Sequence, residues 1–271
     1  MRRIAHLPAP LLAGAALLLL VLLCALAPGL LAPYDPLGFD YSALLAPPSM
    51  AHLFGTDQFG RDLLSRTIFA ARIDLQIALL ATIFPALVGS LVGLLVGWYG
   101  GIADALFGRL VDLVVTFPFL VLVIAIVAIL GPGLLNMYIA VTIVGWVFYA
   151  RLIRAEVLVQ KSGEYIAACH VLGYATPRII FRHILPNAIR PVLVYMVTDM
   201  ALAILLGSSL GYLGLGAQPP TAEWGVLIAD GKNFFTQAPW ISLFPGTAIV
   251  LAGLAFSLAG DGLADLMDIK R

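Results

Sequence analysis

The sequence predicts an all-α membrane protein, a polytopic bundle of about six transmembrane helices. Of its 271 residues 62% are hydrophobic and only 11% charged, and the mean hydropathy is +1.03. So few charges cannot cover the surface of a soluble domain of this length. The apolar runs are long enough to cross a hydrocarbon layer of about 30 Å. They are also continuous, without the alternation over roughly ten residues that marks outer-membrane strands, so the spans are helices and not barrel staves. Formal net charge is zero and no basic tract occurs, which leaves no footprint for nucleic acid.

In chain order the spans fall at 11–32, 75–99, 110–130, 135–157, 192–215 and 243–266. The first follows Arg2 and Arg3 and contains Ala25-Leu26-Ala27, features of a cleavable signal peptide, but its apolar run is long for one and it is expected to remain as a membrane helix. The second carries Gly89, Gly93 and Gly97, a small-xxx-small stripe that invites close approach of another helix and suits a partner interface. Pro85, Pro118 and Pro245 should kink their helices. Cys24 and Cys169 fall on opposite sides in this arrangement, so neither an internal disulfide nor a thiolate metal site is expected.

Between the fourth and fifth spans lies a polar, basic stretch, GEYIAACHVLGYATPRIIFRHILPNAIRP, which must meet something outside the bilayer. It reads as two short helices joined at a glycine. Ser162 can cap the first, Gly173 supplies the turn, and Thr176 followed by Pro177 offers an N-cap and first-turn proline for the second. Ile180 and Ile184, and Phe181 and Leu185, pair at i,i+4 before a stop at Pro186.

Basic residues set the orientation. With the amino terminus in the cytoplasm, Arg2, Arg3, Arg109, Arg151, Arg154, Lys161, Arg178, Arg182, Arg190, Lys270 and Arg271 lie inside, and Arg61, Arg66, Arg72 and Lys232 outside. The split of 11 to 4 exhausts the 15 basic residues and places the polar loop and both termini in the cytoplasm.

On the outer side, Gly55-Thr56-Asp57-Gln58-Phe59-Gly60-Arg61-Asp62-Leu63-Leu64-Ser65-Arg66 contains two turn glycines, and Asp57 or Asp62 can cap the helix that follows. His52 with these carboxylates lacks metal-ligand spacing. After the fifth span, Leu213-Gly214-Leu215-Gly216 unwinds into Pro219-Pro220-Thr221-Ala222-Glu223-Trp224-Gly225, with Trp224 and Trp240 expected as interfacial anchors. Asp74, Asp104 and Asp112 stand near helix ends, whereas Asp199 is the most deeply placed carboxylate, read as a packing group paired with a donor such as Thr198. Nucleotide-binding and His-Glu-x-x-His motifs are lacking, and Gly207-Ser208-Ser209-Leu210-Gly211, though it matches Gly-x-Ser-x-Gly, lies in an apolar span with no base in view, so the chain is expected neither to bind ATP nor to be an enzyme.

Three of these stretches resemble one family. In the polar loop Ala168, Gly173, Leu185 and Pro186 fall on the coupling-loop pattern of ABC importer permeases, while Ala167 stands where Glu is usual, Cys169 where a second Ala is, and His183 near a usual Ile. The run from Gly55 to Arg66 resembles the GTD-x-x-GRD-x-x-SR signature of the dipeptide, oligopeptide and nickel branch, and the Glu223-Trp224-Gly225 segment an external loop near the binding-protein dock. The resemblance covers nearly the whole chain. It implies the ABC importer permease fold, with residues 1–72 as an amino-terminal helix and periplasmic segment, 73–271 as the permease domain, and a coupling loop at 159–190 that includes Glu164 and Tyr165. It further implies a bacterial inner-membrane location, a second permease subunit, cytoplasmic ATPase subunits that hold ATP and Mg, and a periplasmic or extracellular binding protein. Peptides are the expected cargo, nickel or a metal chelate the alternative; a stand-alone secondary transporter is the reading from a different class.

Overall fold

The computed structural model describes residues 9–267, with side chains from Leu11 onward. Arg2, Arg3, Lys270 and Arg271 of the charge count lie outside the described residues. Helices α1 (Ala9–Leu26) and α2 (Pro28–Leu31) are followed by an irregular segment and then the long α3 (Leu63–Tyr99). Next come α4 (Gly101–Val115), α5 (Phe119–Leu130), α6 (Leu134–Lys161), α7 (Glu164–Val171) and α8 (Thr176–Ile179). A π-helical turn, Ile180–Ile184, leads into α9 (Leu185–Tyr212), and α10 (Trp224–Gly231) and α11 (Trp240–Leu266) close the chain. Among the described residues the nearest approach to a strand is one isolated bridge between Thr56 and Asp62.

Four helices are long and apolar enough to cross a membrane: α3, α6, the run Thr176–Tyr212, and α11. The expected span at 110–130 is not one straight helix. α4 and α5 meet at 86°, because Pro118 has no N–H to continue the ladder and stands as the N-cap of α5. If that pair is one broken span the count is five, and the shorter apolar helix Leu11–Leu26 is a sixth apolar segment. α3 runs unbroken through positions 72 and 73, with Asp62 as its N-cap.

α3 organises the bundle. Its Gly89, Gly93 and Gly97 face α6 of the same chain, where an added Cβ would strike the Trp146 and Ala150 carbonyls and the Val157 side chain. The stripe is therefore spent on an internal helix pair rather than on another subunit. α1 lies along α11, with Gly14 against the Leu258–Ala259 backbone, and Arg72 of α3 donates to the terminal carbonyls of α1 at Ala25 (2.9 Å) and Leu26 (3.3 Å). Leu87, Leu91, Val121 and Ile129 face outward, as on a bundle solvated by lipid or covered by another membrane helix.

Candidate functional site

The carboxyl ends of α3 and α6 lie together and carry the polar loop. α7 buries Ile166 and Cys169, three apart on one face, while the second limb buries Ile179, Ile180 and Ile184; all join Trp98, Ile153 and Val157 in one core. Lys161 Nζ donates to the Trp98 carbonyl (2.5 Å) and lies over its ring (5.4 Å). The other face of α7 is open. Glu164, Ala167 and Ala168 are exposed, and so is Tyr165, whose hydroxyl donates to Gln160 Oε1 (2.6 Å). At the apex Val171 is 89% and Leu172 67% exposed, an apolar knob on a polar loop. Gly173 follows with φ +71°, in the left-handed region that a Cβ disfavours.

Three local expectations fail here. Gly163, not Ser162, caps α7, since the Ser162 hydroxyl turns back to donate to the Val159 carbonyl (2.8 Å) and closes α6. Ala175 occupies the N-cap of α8, leaving Thr176 as its first helical residue without a side-chain cap bond. Nor does the helix stop before Pro186. The π turn lets the Leu185 N–H reach the Ile180 carbonyl, and the exposed Pro186 sits in the first turn of α9, where its missing N–H costs little. Leu185 is half-buried against the loop core.

At the opposite end the segment before α3 is held by a buried ionic network. Asp57 is wholly buried and accepts from the amides of Phe59 (2.8 Å) and Arg61 (3.0 Å), from Arg61 Nε (2.7 Å) and from Arg66 Nη1 (2.5 Å). Asp230, on α10, lies 3.4 Å from the same Arg66 nitrogen and 3.5 Å from Arg61 Nη2. Burial pushes the Asp230 carboxyl up, against the opposing pull of the two guanidinium groups. Asp62 is the helix cap: it accepts from the Ser65 amide (2.8 Å) and hydroxyl (2.7 Å), and its other oxygen meets His52 Nδ1 (2.9 Å). Gly55 and Gly60 take φ of +74° and +73° at the turns, and Thr56 pins the chain through bonds to the Ala46 amide (2.8 Å) and Ala43 carbonyl (2.5 Å). The motif thus folds onto itself, with its charges turned inward.

Glu223, Trp224 and Gly225, expected in an external loop, are buried between α3 and α9. Glu223 caps α10 by accepting from Gly225 N (2.7 Å) and Val226 N (3.0 Å). Trp224 donates through its indole to the Thr67 carbonyl (3.0 Å), and Trp240 likewise to Thr56 (3.1 Å), so both rings are engaged within the protein instead of anchoring at the lipid surface. Within the long helices Asp74 is the most fully buried carboxylate, whereas Asp199 stands nearest mid-span. Asp74 is fully buried in α3 and accepts from the Trp224 amide (3.1 Å) and the Ser208 hydroxyl (3.3 Å), with Glu223 adjacent. Its role was hidden because the apolar run begins at Leu75, whereas the helix begins twelve residues earlier with polar turns that the Asp57 network buries.

Asp199 is half-buried in α9 and bonds across to α6, where the Tyr149 hydroxyl donates to it (2.7 Å). Thr198, the expected partner, instead donates to the Tyr195 carbonyl (2.8 Å). Asp199 and Tyr149 line a cavity of about 410 Å³ between α3, α5, α6 and α9.

Known proteins give this geometry a family. A family model described as "Binding-protein-dependent transport system inner membrane component" matches residues 89–270. The dipeptide transport system permease protein DppC of Alkalihalophilus pseudofirmus is 44% identical, over 83% of this chain and 74% of its own length. The probable D,D-dipeptide transport system permease protein DdpC of Escherichia coli is 41% identical over 95% and 86%, and the di/tripeptide transport system permease protein DppC of Pseudomonas aeruginosa 43% over 96% and 88%. Identity of this order over nearly the whole chain, on a helical bundle with the loop and buried motif described above, shows that the chain belongs to the family of binding-protein-dependent transport inner-membrane components, multi-pass permease subunits of transporters.

Proposed function

We propose that this chain is one of two membrane-spanning permease subunits of an ATP-driven ABC importer, and that its cargo is di- or oligopeptides. The peptide transport for which its relatives are named supports peptides over nickel. The 11 to 4 charge split supports cytoplasmic termini and a cytoplasmic loop at 159–190. ATP and its Mg are held by separate ATPase subunits, a binding protein outside delivers the cargo to this chain and its sister subunit, and membrane lipid surrounds the pair.

The observation that carries the reading is the Val171–Leu172 knob. Two large apolar side chains so exposed on a polar loop mark a contact surface, and their position at the joined ends of α3 and α6 supports an ATPase cleft as the receiver. Behind the knob, Ile166 and Cys169 share one core with residues of α3, α6, the π turn and α9. Close-packed interiors transmit displacement. Closure of the ATPase subunits on ATP therefore pulls α7, and α7 moves the three long helices between outward- and inward-facing arrangements. No bond in the cargo is made or broken.

A photoactivatable residue at position 172 tests this in cells. The expected product is an adduct with an ATP-hydrolysing protein that is lost when α7 is displaced by Gly173→Leu. Labelling of lipid alone would overturn the coupling role.

A further inference from the structure

Asp199 stands 14 residues from the start of α9 and 13 from its end, and Tyr149 is at the middle of α6. At about 1.5 Å per residue each side of Asp199 has some 20 Å of helix, which puts the carboxylate near the middle of the bilayer. A carboxylate at that depth is costly unless it meets a counter-charge or a polar partner, and one hydroxyl donor offsets little of that cost. Among the described residues its bond is to Tyr149, and the ion pairs of the chain lie elsewhere. The group opens on the 410 Å³ cavity, a size within the range of about 300–1,000 Å³ for small-molecule sites. Tyr195 also lines it and packs edge-on to Tyr149, centroids 5.1 Å apart at 72°. Apart from Ser209, whose hydroxyl donates to the Leu205 carbonyl (2.7 Å), the remaining wall is apolar, with Pro85, Phe119 and Phe148.

We propose that Asp199, with Tyr149 and Tyr195, is a recognition point on the translocation path for a primary ammonium, the protonated amino group of a passing peptide. The assignment rests on the peptide-importer reading. Chemistry favours that group over the rest of the cargo. The ammonium is common to peptides of any sequence, it supplies the charge the carboxylate needs, and tyrosine faces add cation–π attraction. Apolar walls accept varied side chains without selecting among them. A contact at mid-depth can be reached from either side in turn, as alternating access requires.

The test uses the complete transporter in proteoliposomes with its binding protein, offered an equimolar mixture of natural dipeptides, with uptake and ATP hydrolysis measured together. Losing one charge-assisted contact predicts that peptide delivered per ATP falls about tenfold in Asp199→Asn. Asp199→Glu should recover most of it, and Tyr149→Phe should fall between. In the purified complex, esterification of Asp199 by a diazoacetamide reagent, in which the carboxyl proton passes to the diazo carbon and N2 leaves, read by peptide mapping, should be slowed by alanyl-alanine methyl ester and not by its N-acetylated form. Wild-type delivery per ATP in Asp199→Asn, or equal protection by both esters, would overturn the proposal. Loss of the sister subunit from the Asp199→Asn complex would also overturn it, making Asp199 half of an inter-subunit ion pair. A wild-type complex that moves none of the mixture overturns the peptide reading itself, a result visible before any variant is compared.

Discussion

Gly173 and Asp57 show how single residues set the two ends of the molecule. Gly173 has open space around the position a Cβ would occupy, so the obstacle to substitution is its φ of +71° alone. Gly173→Leu should cost about 1–2 kcal/mol locally and redirect α7 while the spans stay intact. The expected outcome is normal abundance with ATP hydrolysis no longer stimulated by the loaded binding protein, read in reconstituted complexes. Asp57→Ala leaves Arg61 and Arg66 buried without their main counter-charge, a loss of about 3–5 kcal/mol. It should show as a lower midpoint in thermal unfolding of the purified complex, together with protease sensitivity before α3. At this scale the sequence was legible where conformation is local. The turn at Gly173 needs nothing beyond its neighbours, whereas the choice of Asp62 over Asp57 as the cap followed from the network that engages Asp57. Ser162 and Thr176 were misplaced because hydroxyls accept several backbone partners, and tertiary packing decides which.

Helix pairing was only half legible. The spacing of Gly89, Gly93 and Gly97 requires a close neighbour, yet spacing carries no information on whether that neighbour belongs to the same chain. It does: the stripe is filled by α6. Gly93→Leu should therefore destabilise this polypeptide itself, by about 3 kcal/mol or more if the backbones are forced apart. Its level in membranes should fall even when the sister permease is absent; normal folding with loss of only the sister subunit would contradict the internal pairing. The 86° bend between α4 and α5 and the π turn before α9 were hidden for a common reason. A proline announces a missing hydrogen bond, and its surroundings choose among a kink, a break and a change of helix type. Burial of Asp74 under Trp224 was illegible because it joins residues 150 positions apart.

For the whole molecule, helical class and membrane residence follow from composition, whereas the inward-turned charge at one end and the apolar knob at the other required the fold. Orientation rests on charge and has its own check. In a variant lacking Cys24 and Cys169, cysteines at the exposed positions Ser42 and Gln237 should react with an impermeant thiol reagent in intact spheroplasts, and one at Leu172 only after lysis. The reverse pattern would place the loop away from ATP. The central claim, that this permease works only when an ATPase drives its loop, is tested most directly by flux. Proteoliposomes should be prepared with this chain alone, and with sister subunit, ATPases and binding protein added, each with and without ATP on the loop side. The account predicts dipeptide accumulation only in the complete assembly with ATP, abolished by Gly173→Leu. Accumulation by this polypeptide alone, or by the complete assembly without ATP, would contradict it and favour a secondary transporter.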